Sequence, residues 1–189
     1  AAVAMATHAH SDHFGTNRVS QFLKQNPDTL FIGTPKMMET LQNKVKPYQL
    51  ATASLDRFQA TTFEHNQVKV TVLDFPHMDP GPDQARNFGY LVQVNGWTVL
   101  HVGDADVNAQ VIKGFKLADY NIDLALIHDL FPVRKENYAE LIKQMNVGKV
   151  VFLHMTDDKA KPLAAWLKQN LPDAGMLVTG YERVVLKKS

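Results

Sequence analysis

The chain has 189 residues, 45% hydrophobic and 21% charged, the make-up of a soluble globular domain long enough for a full core. Lys plus Arg number 20 against 19 Asp plus Glu, so there is no electrostatic footprint for nucleic acid or anionic lipid. With no cysteine, disulfides, thiolate zinc sites, Fe–S clusters and a Cys nucleophile are all excluded, and no apolar run approaches the roughly 20 residues that span a bilayer. The expected compartment is the cytoplasm. A mature periplasmic or secreted chain is the alternative, because Ala1–Met5 lacks the charged start of a signal peptide and a cleaved chain would lack it too.

Residues 1–6 are small and apolar and read as the end of a buried strand. They run directly into Thr7-His8-Ala9-His10-Ser11-Asp12-His13, in which four metal-ligand types follow the pattern H-x-H-x-D-H. Imidazole and carboxylate together suit zinc, iron or manganese. In an extended segment His8, His10 and Asp12 would share one side, because side chains alternate with a period of two. His13 breaks that period and faces elsewhere, for which a second metal is the simplest reason. The plain alternative is a histidine-rich surface loop or a tag remnant, although a tag is a simple histidine run with no use for an Asp.

Phe14-Gly15 turns the chain, and Asn17 is the expected cap of a helix carrying Val19, Phe22 and Leu23, which stops near Asn26-Pro27. Thr29–Ile32 is a short strand. Thr34-Pro35 starts a helix with Met37, Met38 and Leu41. Val68–Val72 alternates strictly, as a half-buried antiparallel strand should, and leads to Phe75-Pro76-His77. Met78–Arg86, with Pro80, Gly81 and Pro82, is a surface loop. Gly89–Val94 and Thr98–Val102 are strands joined by Asn95-Gly96, a strong hairpin signal, and the second ends in Gly103-Asp104. A helix over Ala109–Phe115 precedes the strand Ile122–Ile127, which ends in His128-Asp129. A helix over Lys135–Met145 leads to the strand Lys149–Leu153, ending in His154. A helix with Leu163, Ala164, Leu167 and Leu171 on one face follows, and Met176–Thr179 with Arg183–Leu186 form a closing hairpin-like pair. Strand–helix alternation around antiparallel strands predicts a mixed α/β domain without repeats or linkers.

Separate strands thus terminate in His8/His10, His77, Asp104 and His154, where a rigid sheet can gather ligands from distant parts of the chain. Singly, His77 and His154 read as satisfied structural histidines and Asp104 as a turn residue. As a set they support one another.

The motifs T-H-A-H-S-D-H-F-G at 7–15, P-H at 76–77, G-D at 103–104 and L-H at 153–154 make the chain resemble the metallo-β-lactamase fold superfamily over nearly its whole length. Asn87-Phe88-Gly89-Tyr90 and the H-V-G-D-A-D segment are similar to the single-domain lactonase-like hydrolases related to ascorbate-6-phosphate lactonase, and to the N-acyl-phosphatidylethanolamine phospholipase branch. The resemblance implies an α/β (α+β) fold, a four-layer αββα sandwich, with 1–189 as a single domain. It also implies that strands normally preceding the first histidine motif are lacking, which leaves a sheet edge open to a partner segment or a second copy.

The resemblance further implies that His8, His10 and His77 hold one metal and Asp12, His13 and His154 a second, with Asp104 bridging both. The cofactor would be two divalent ions, most readily Zn2+, with Mn2+ or Fe2+ as alternatives. A bridging hydroxide would attack an ester, lactone or phosphoester of a small substrate. Asp12, Asp104 and His128 are the candidate catalytic residues, His128 as hydrogen-bond donor to substrate or general acid. The plain reading of His128 is a loop or supporting histidine; His101 is expected in a supporting or core role and His65 at the surface. Arg86, Arg134 and Lys135 are loop cations that could bind an anionic group or be merely solvated. Alternatives are a nuclease or phosphodiesterase of the same fold, a mononuclear-iron dioxygenase, and an inactive metal-binding fragment.

Overall fold

The computed structural model describes residues 1–56, 58–79, 81, 85–128, 137–178 and 183–186. Among them are ten strands: β1 (Val3–Met5), β2 (Leu30–Ile32), β3 (Leu50–Ala51), β4 (Ala60–His65), β5 (Val68–Phe75), β6 (Asn87–Val94), β7 (Trp97–His101), β8 (Leu124–His128), β9 (Lys149–Leu153) and β10 (Gly175–Met176). Five α-helices accompany them: α1 (Thr16–Gln25), α2 (Pro35–Leu41), α3 (Ala109–Gly114), α4 (Tyr138–Gln144) and α5 (Asp157–Asn170). The strands form a parallel three-stranded sheet, β1-β2-β3, and a mixed seven-stranded sheet, β10-β9-β8-β7-β6-β5-β4.

Three apolar clusters set the order of layers. Leu23, Met37 and Leu41 of α1 and α2 pack with Phe31 on one face of the small sheet. Ile32 packs with Val70, Val72, Phe88 and Tyr90 between the two sheets. Residues of α3, α4 and α5, such as Ile112, Leu141 and Leu163, cover Leu73, Leu100 and Ile127 on the far face of the large sheet. The result is an αββα sandwich, held by burial of apolar area from three sides.

Several local expectations meet a different outcome. Strand β5 is not half-buried: Val70, Thr71, Val72 and Leu73 are all buried, because the small sheet covers one face and the α3–α5 layer the other. Helix α1 begins two residues earlier than expected, with Gly15 rather than Asn17 at the cap position. Ala164 is exposed on α5, whose buried residues are Leu163 and Leu167. The chain does not close with a hairpin: β10 adds to β9 in parallel, and 183–186 carry no strand. Pro80, Pro82 and Thr179 lie outside the described residues. The Asn95-Gly96 turn does join β6 to β7, with Val94 paired to Trp97 and positive φ at both turn residues (49° and 76°). No helix among the described residues is long and apolar enough to cross a membrane.

Candidate metal centre

Strands β7, β8 and β9 run parallel, so their C-terminal ends lie side by side and deliver Asp104, His128 and His154 to one edge of the large sheet. The loops after β5 and β7 then clasp across β6. The Met78 N–H donates to the Asp104 carbonyl at 2.8 Å and the Asp106 N–H to the Pro76 carbonyl at 2.7 Å, which sets His77 beside the Gly103–Asp104 turn. Between them Asn87, fully buried, donates from Nδ2 to the Val102 carbonyl (2.9 Å) and accepts the Asp104 N–H at Oδ1 (3.1 Å).

The histidine motif is fastened to the same strand from the other sheet. The Phe88 N–H donates to the Thr7 carbonyl at 2.7 Å. The buried Tyr90 hydroxyl reaches the carbonyls of Ala6 (2.7 Å) and Ile32 (3.1 Å). Gly103 has φ +60°, and a Cβ there would stand 2.4 Å from Asn87 Oδ1 and 2.7 Å from Thr7 Cβ, so glycine permits both the turn and the close approach of the two sheets. His154 adopts φ +64°, the left-handed region that a non-glycine residue enters at a cost of order 1–3 kcal/mol.

The motif itself is a turn rather than an extended segment. The N–H groups of His13 and Phe14 both donate to the His10 carbonyl, at 3.0 and 2.9 Å. Asp12 is thereby carried away from His8 and His10, so the expectation of one shared side fails for it. Among the described residues four donor groups result, each with ligand atoms within 4.8 Å of one another: His8, His10 and His77; His8, His13 and Asp104; Asp12, His13 and His154; Asp104, His128 and His154. Asp104 Oδ2 is their centre, 3.4 Å from His13 Nε2, 3.6 Å from His128 Nε2 and 3.9 Å from His8 Nε2.

The electrostatics follow from this crowding. Burial, with repulsion from His13, lowers His8 to about 3, so it is neutral at ordinary pH. Burial and His10 likewise lower His77. Burial works against protonation of His13, but hydrogen bonding and attraction to Asp104, with Asp12 behind it, outweigh burial and raise it. Burial would also raise Asp104, yet the hydrogen bond from His13 and the charges of His128, His13 and His154 hold it far below the usual carboxylate range. For Asp12, burial is outweighed by a backbone hydrogen bond and by His13 and His154, and the carboxyl is lowered.

Whether these residues fit a metal is tested by two atoms. Nε2 of His8 and Nε2 of His77 are buried side-chain nitrogens with no hydrogen-bond partner among the described residues. Such a group costs about 1–3 kcal/mol unless something takes it up, and a metal ion does. Nδ1 of His8 lies 3.0 Å from the Thr7 hydroxyl, which fixes the tautomer with its lone pair on Nε2 if Nδ1–H donates. The Asp79 N–H donates to His77 Nδ1 at 2.9 Å, so a neutral His77 ring carries its hydrogen on Nε2, which a metal there would displace. The donor set fits a metal.

Other expected residues fall elsewhere. Arg86 is engaged within the protein: its guanidinium makes a forked contact with Asp74 (2.6 Å at the shortest) and donates to the Leu55 carbonyl at 2.6 Å. It lines a cavity of about 540 Å³ that His77, Phe58, Asp106 and Asn108 also border. His101 accepts the Gly103 N–H at Nδ1 (2.9 Å) and so supports the turn before Asp104. His65 binds the Asp28 carbonyl at 2.7 Å, at the end of β4. Asp129, Arg134 and Lys135 lie outside the described residues. Sequence reasoning missed the roles of Thr7, Asn87 and Tyr90, which come from contacts between distant strands; the local signals were a Thr before the first histidine and the Asn87-Phe88-Gly89-Tyr90 segment.

The chain belongs to the beta-lactamase superfamily: the model of the beta-lactamase superfamily domain matches residues 1–155. Similar solved structures include Igni18, a metallo hydrolase of the archaeon Ignicoccus hospitalis, at 15% identity over 99% of this chain and 80% of that one, with a TM-score of 0.63. The short form of human tRNase Z is similar at 14% identity, 94% and 76% coverage and a TM-score of 0.63. CmlA, a diiron β-hydroxylase of Streptomyces venezuelae, is similar at 13% identity, 93% and 43% coverage and a TM-score of 0.61. At these identities the likeness is one of fold, the metallo-β-lactamase fold. A search of curated proteins finds no match.

Proposed function

We propose that the protein is a hydrolase that cleaves an ester, lactone or phosphoester bond of a small substrate with the help of two divalent metal ions, zinc first among them. The observation that carries this reading is the pairing of two three-donor groups, His8/His10/His77 and Asp12/His13/His154, on either side of Asp104. His8, His10 and His77 would hold one ion, Asp12, His13 and His154 the other, with Asp104 shared. When bound, such a pair supplies Lewis acidity and activates water near neutral pH.

The chain's own residues prepare that chemistry. His8, lowered by burial, is neutral at ordinary pH and offers Nε2 without shedding a proton, while His77, also lowered, is neutral but must give up the hydrogen on Nε2 to become a ligand there. Asp104 stays ionised, and its negative charge balances the gathered cations. Thr7 holds the His8 ring, while Asn87 and the Gly103 turn fix the Asp104 main chain, so the donors are held by groups that do not themselves bind substrate. Asp12 is the most exposed carboxylate of the cluster and faces solvent, where it can pass a proton to a leaving group. With Arg86 engaged by Asp74, recognition of an anionic substrate falls to the metals rather than to that arginine.

The test is a panel of lactones, phosphodiesters and carboxylic esters offered to the metal-loaded wild type and to His10→Ala. Hydrolysis of one class, lost in the variant, supports the reading. Equal turnover by both would place the activity outside this site.

A further inference from the structure

His128 closes β8, and β8 lies between β7 and β9 in the large sheet. The register pairs His101 with Leu126 and His128 with Leu153, so the end of β8 emerges between the strand that delivers Asp104 and the strand that delivers His154. The His128 side chain is nearly inaccessible to solvent, at 3% exposure. Its Nε2 stands 3.6 Å from Asp104 Oδ2, and its ring lies 4.4 Å from that of His154 at an interplanar angle of 30°. Asp104, His128 and His154 present donor atoms within 4.8 Å of one another, as do His8, His10 and His77.

We propose that His128 is a protein ligand of the metal on the His154 side of Asp104. The inference rests on the two-metal reading above and adds a consequence to it. His8, His10, His77 and Asp104 give one position three nitrogens and one oxygen. Asp12, His13, Asp104, His128 and His154 give the other three nitrogens and two carboxylates. Zinc is satisfied by four donors, commonly three from protein and one open position. Five protein donors with two carboxylates instead suit an ion that accepts five or six ligands, such as Mn2+, Fe2+ or Co2+. The two positions therefore differ in metal preference, and His128 sets the difference.

Titration of the metal-free full-length chain with Co2+ tests this, read by ligand-field absorption and by the exchangeable imidazole resonances that a bound paramagnetic ion shifts. The wild type is expected to take two equivalents, one of them with the weak absorption of five- or six-coordinate cobalt, and to show shifted resonances from six histidines: 8, 10, 13, 77, 128 and 154. His128→Gln is expected to keep the first equivalent unchanged and to bind the other about tenfold or more weakly. Two equivalents with shifted resonances from only five histidines, or unchanged affinity in the variant, would overturn the assignment and leave the two-metal reading standing. A single equivalent in the wild type would overturn the two-metal reading itself. If His128→Gln does not fold, the wild-type resonance count decides alone.

Discussion

Nε2 of His13 and Nε2 of His154 stand 3.0 Å apart although 141 residues separate them in the chain. Asp12 Oδ2 lies 3.5 Å from each, completing a triangle of donors at the cluster's exposed side. Two imidazole nitrogens this close share a hydrogen, one ring donating to the other, or bind a metal between them. His13 is raised by Asp104 and Asp12, and a metal displaces its proton, so loading on this side is expected to release protons. Calorimetric titration with Zn2+ in buffers of different ionisation enthalpy measures that release, and Asp12→Asn is expected to weaken this position while leaving the other in place.

The pH dependence of the metal-free protein has a definite sign. His8 titrates near 3 in the folded chain and near 6.5 in the unfolded one. Between those values the unfolded state holds the extra proton, so folding stability rises with pH by up to about 1.4 kcal/mol per unit for that single group. His77 acts in the same direction. The depressed Asp104 adds stability above the ordinary carboxylate range that is lost on further acidification. His13, raised, opposes them: its contribution is present below its unfolded value and lost as pH rises through its folded one. Denaturant melts between pH 4 and 7 are therefore expected to show stability falling towards acid, with a shallower slope in His8→Gln.

Gly103→Ala places a methyl 2.4 Å from Asn87 Oδ1 on a backbone with φ +60°. The expected loss is about 1–3 kcal/mol, read as a lower Tm, together with weaker metal binding because the same turn carries Asp104.

Thr7→Val removes the hydroxyl beside His8 Nδ1 with little change of volume. Metal affinity is expected to fall by about 10- to 100-fold while the metal-free Tm moves little, a contrast that separates orientation of the ligand from stability of the fold.

Tyr90→Phe leaves the buried carbonyls of Ala6 and Ile32 without their shared hydroxyl. A loss of about 1–2 kcal/mol in chemical denaturation is expected. Arg86→Ala, by contrast, is expected to lower stability modestly and leave KM for anionic substrates unchanged, since its guanidinium is engaged by Asp74 and Leu55.

What was legible in the sequence was local. The Asn95-Gly96 turn announces its hairpin because two positive φ angles admit few other residues. His77, Asp104 and His154 stand out because each follows an apolar strand. The direction of Asp12 was not legible, since the turn closed on the His10 carbonyl replaces the alternation of an extended chain. Nor was the burial of both faces of β5, which depends on a second sheet built from other segments. That Arg86 is neither merely solvated nor unpaired was not legible, because its partner Asp74 sits twelve residues upstream on the neighbouring strand. The place of His128 follows from the strand order β9-β8-β7, which no local pattern encodes.

The proposed hydrolase requires two metal positions sharing Asp104. Elemental analysis of the purified, metal-reconstituted chain tests this most directly, with His77→Ala, a variant carrying both His13→Ala and His154→Ala, and their combination beside it. Two equivalents in the wild type, one in each of the first two variants and none in the combination is the predicted result; one equivalent in the wild type, or two in either of the first two variants, would contradict it.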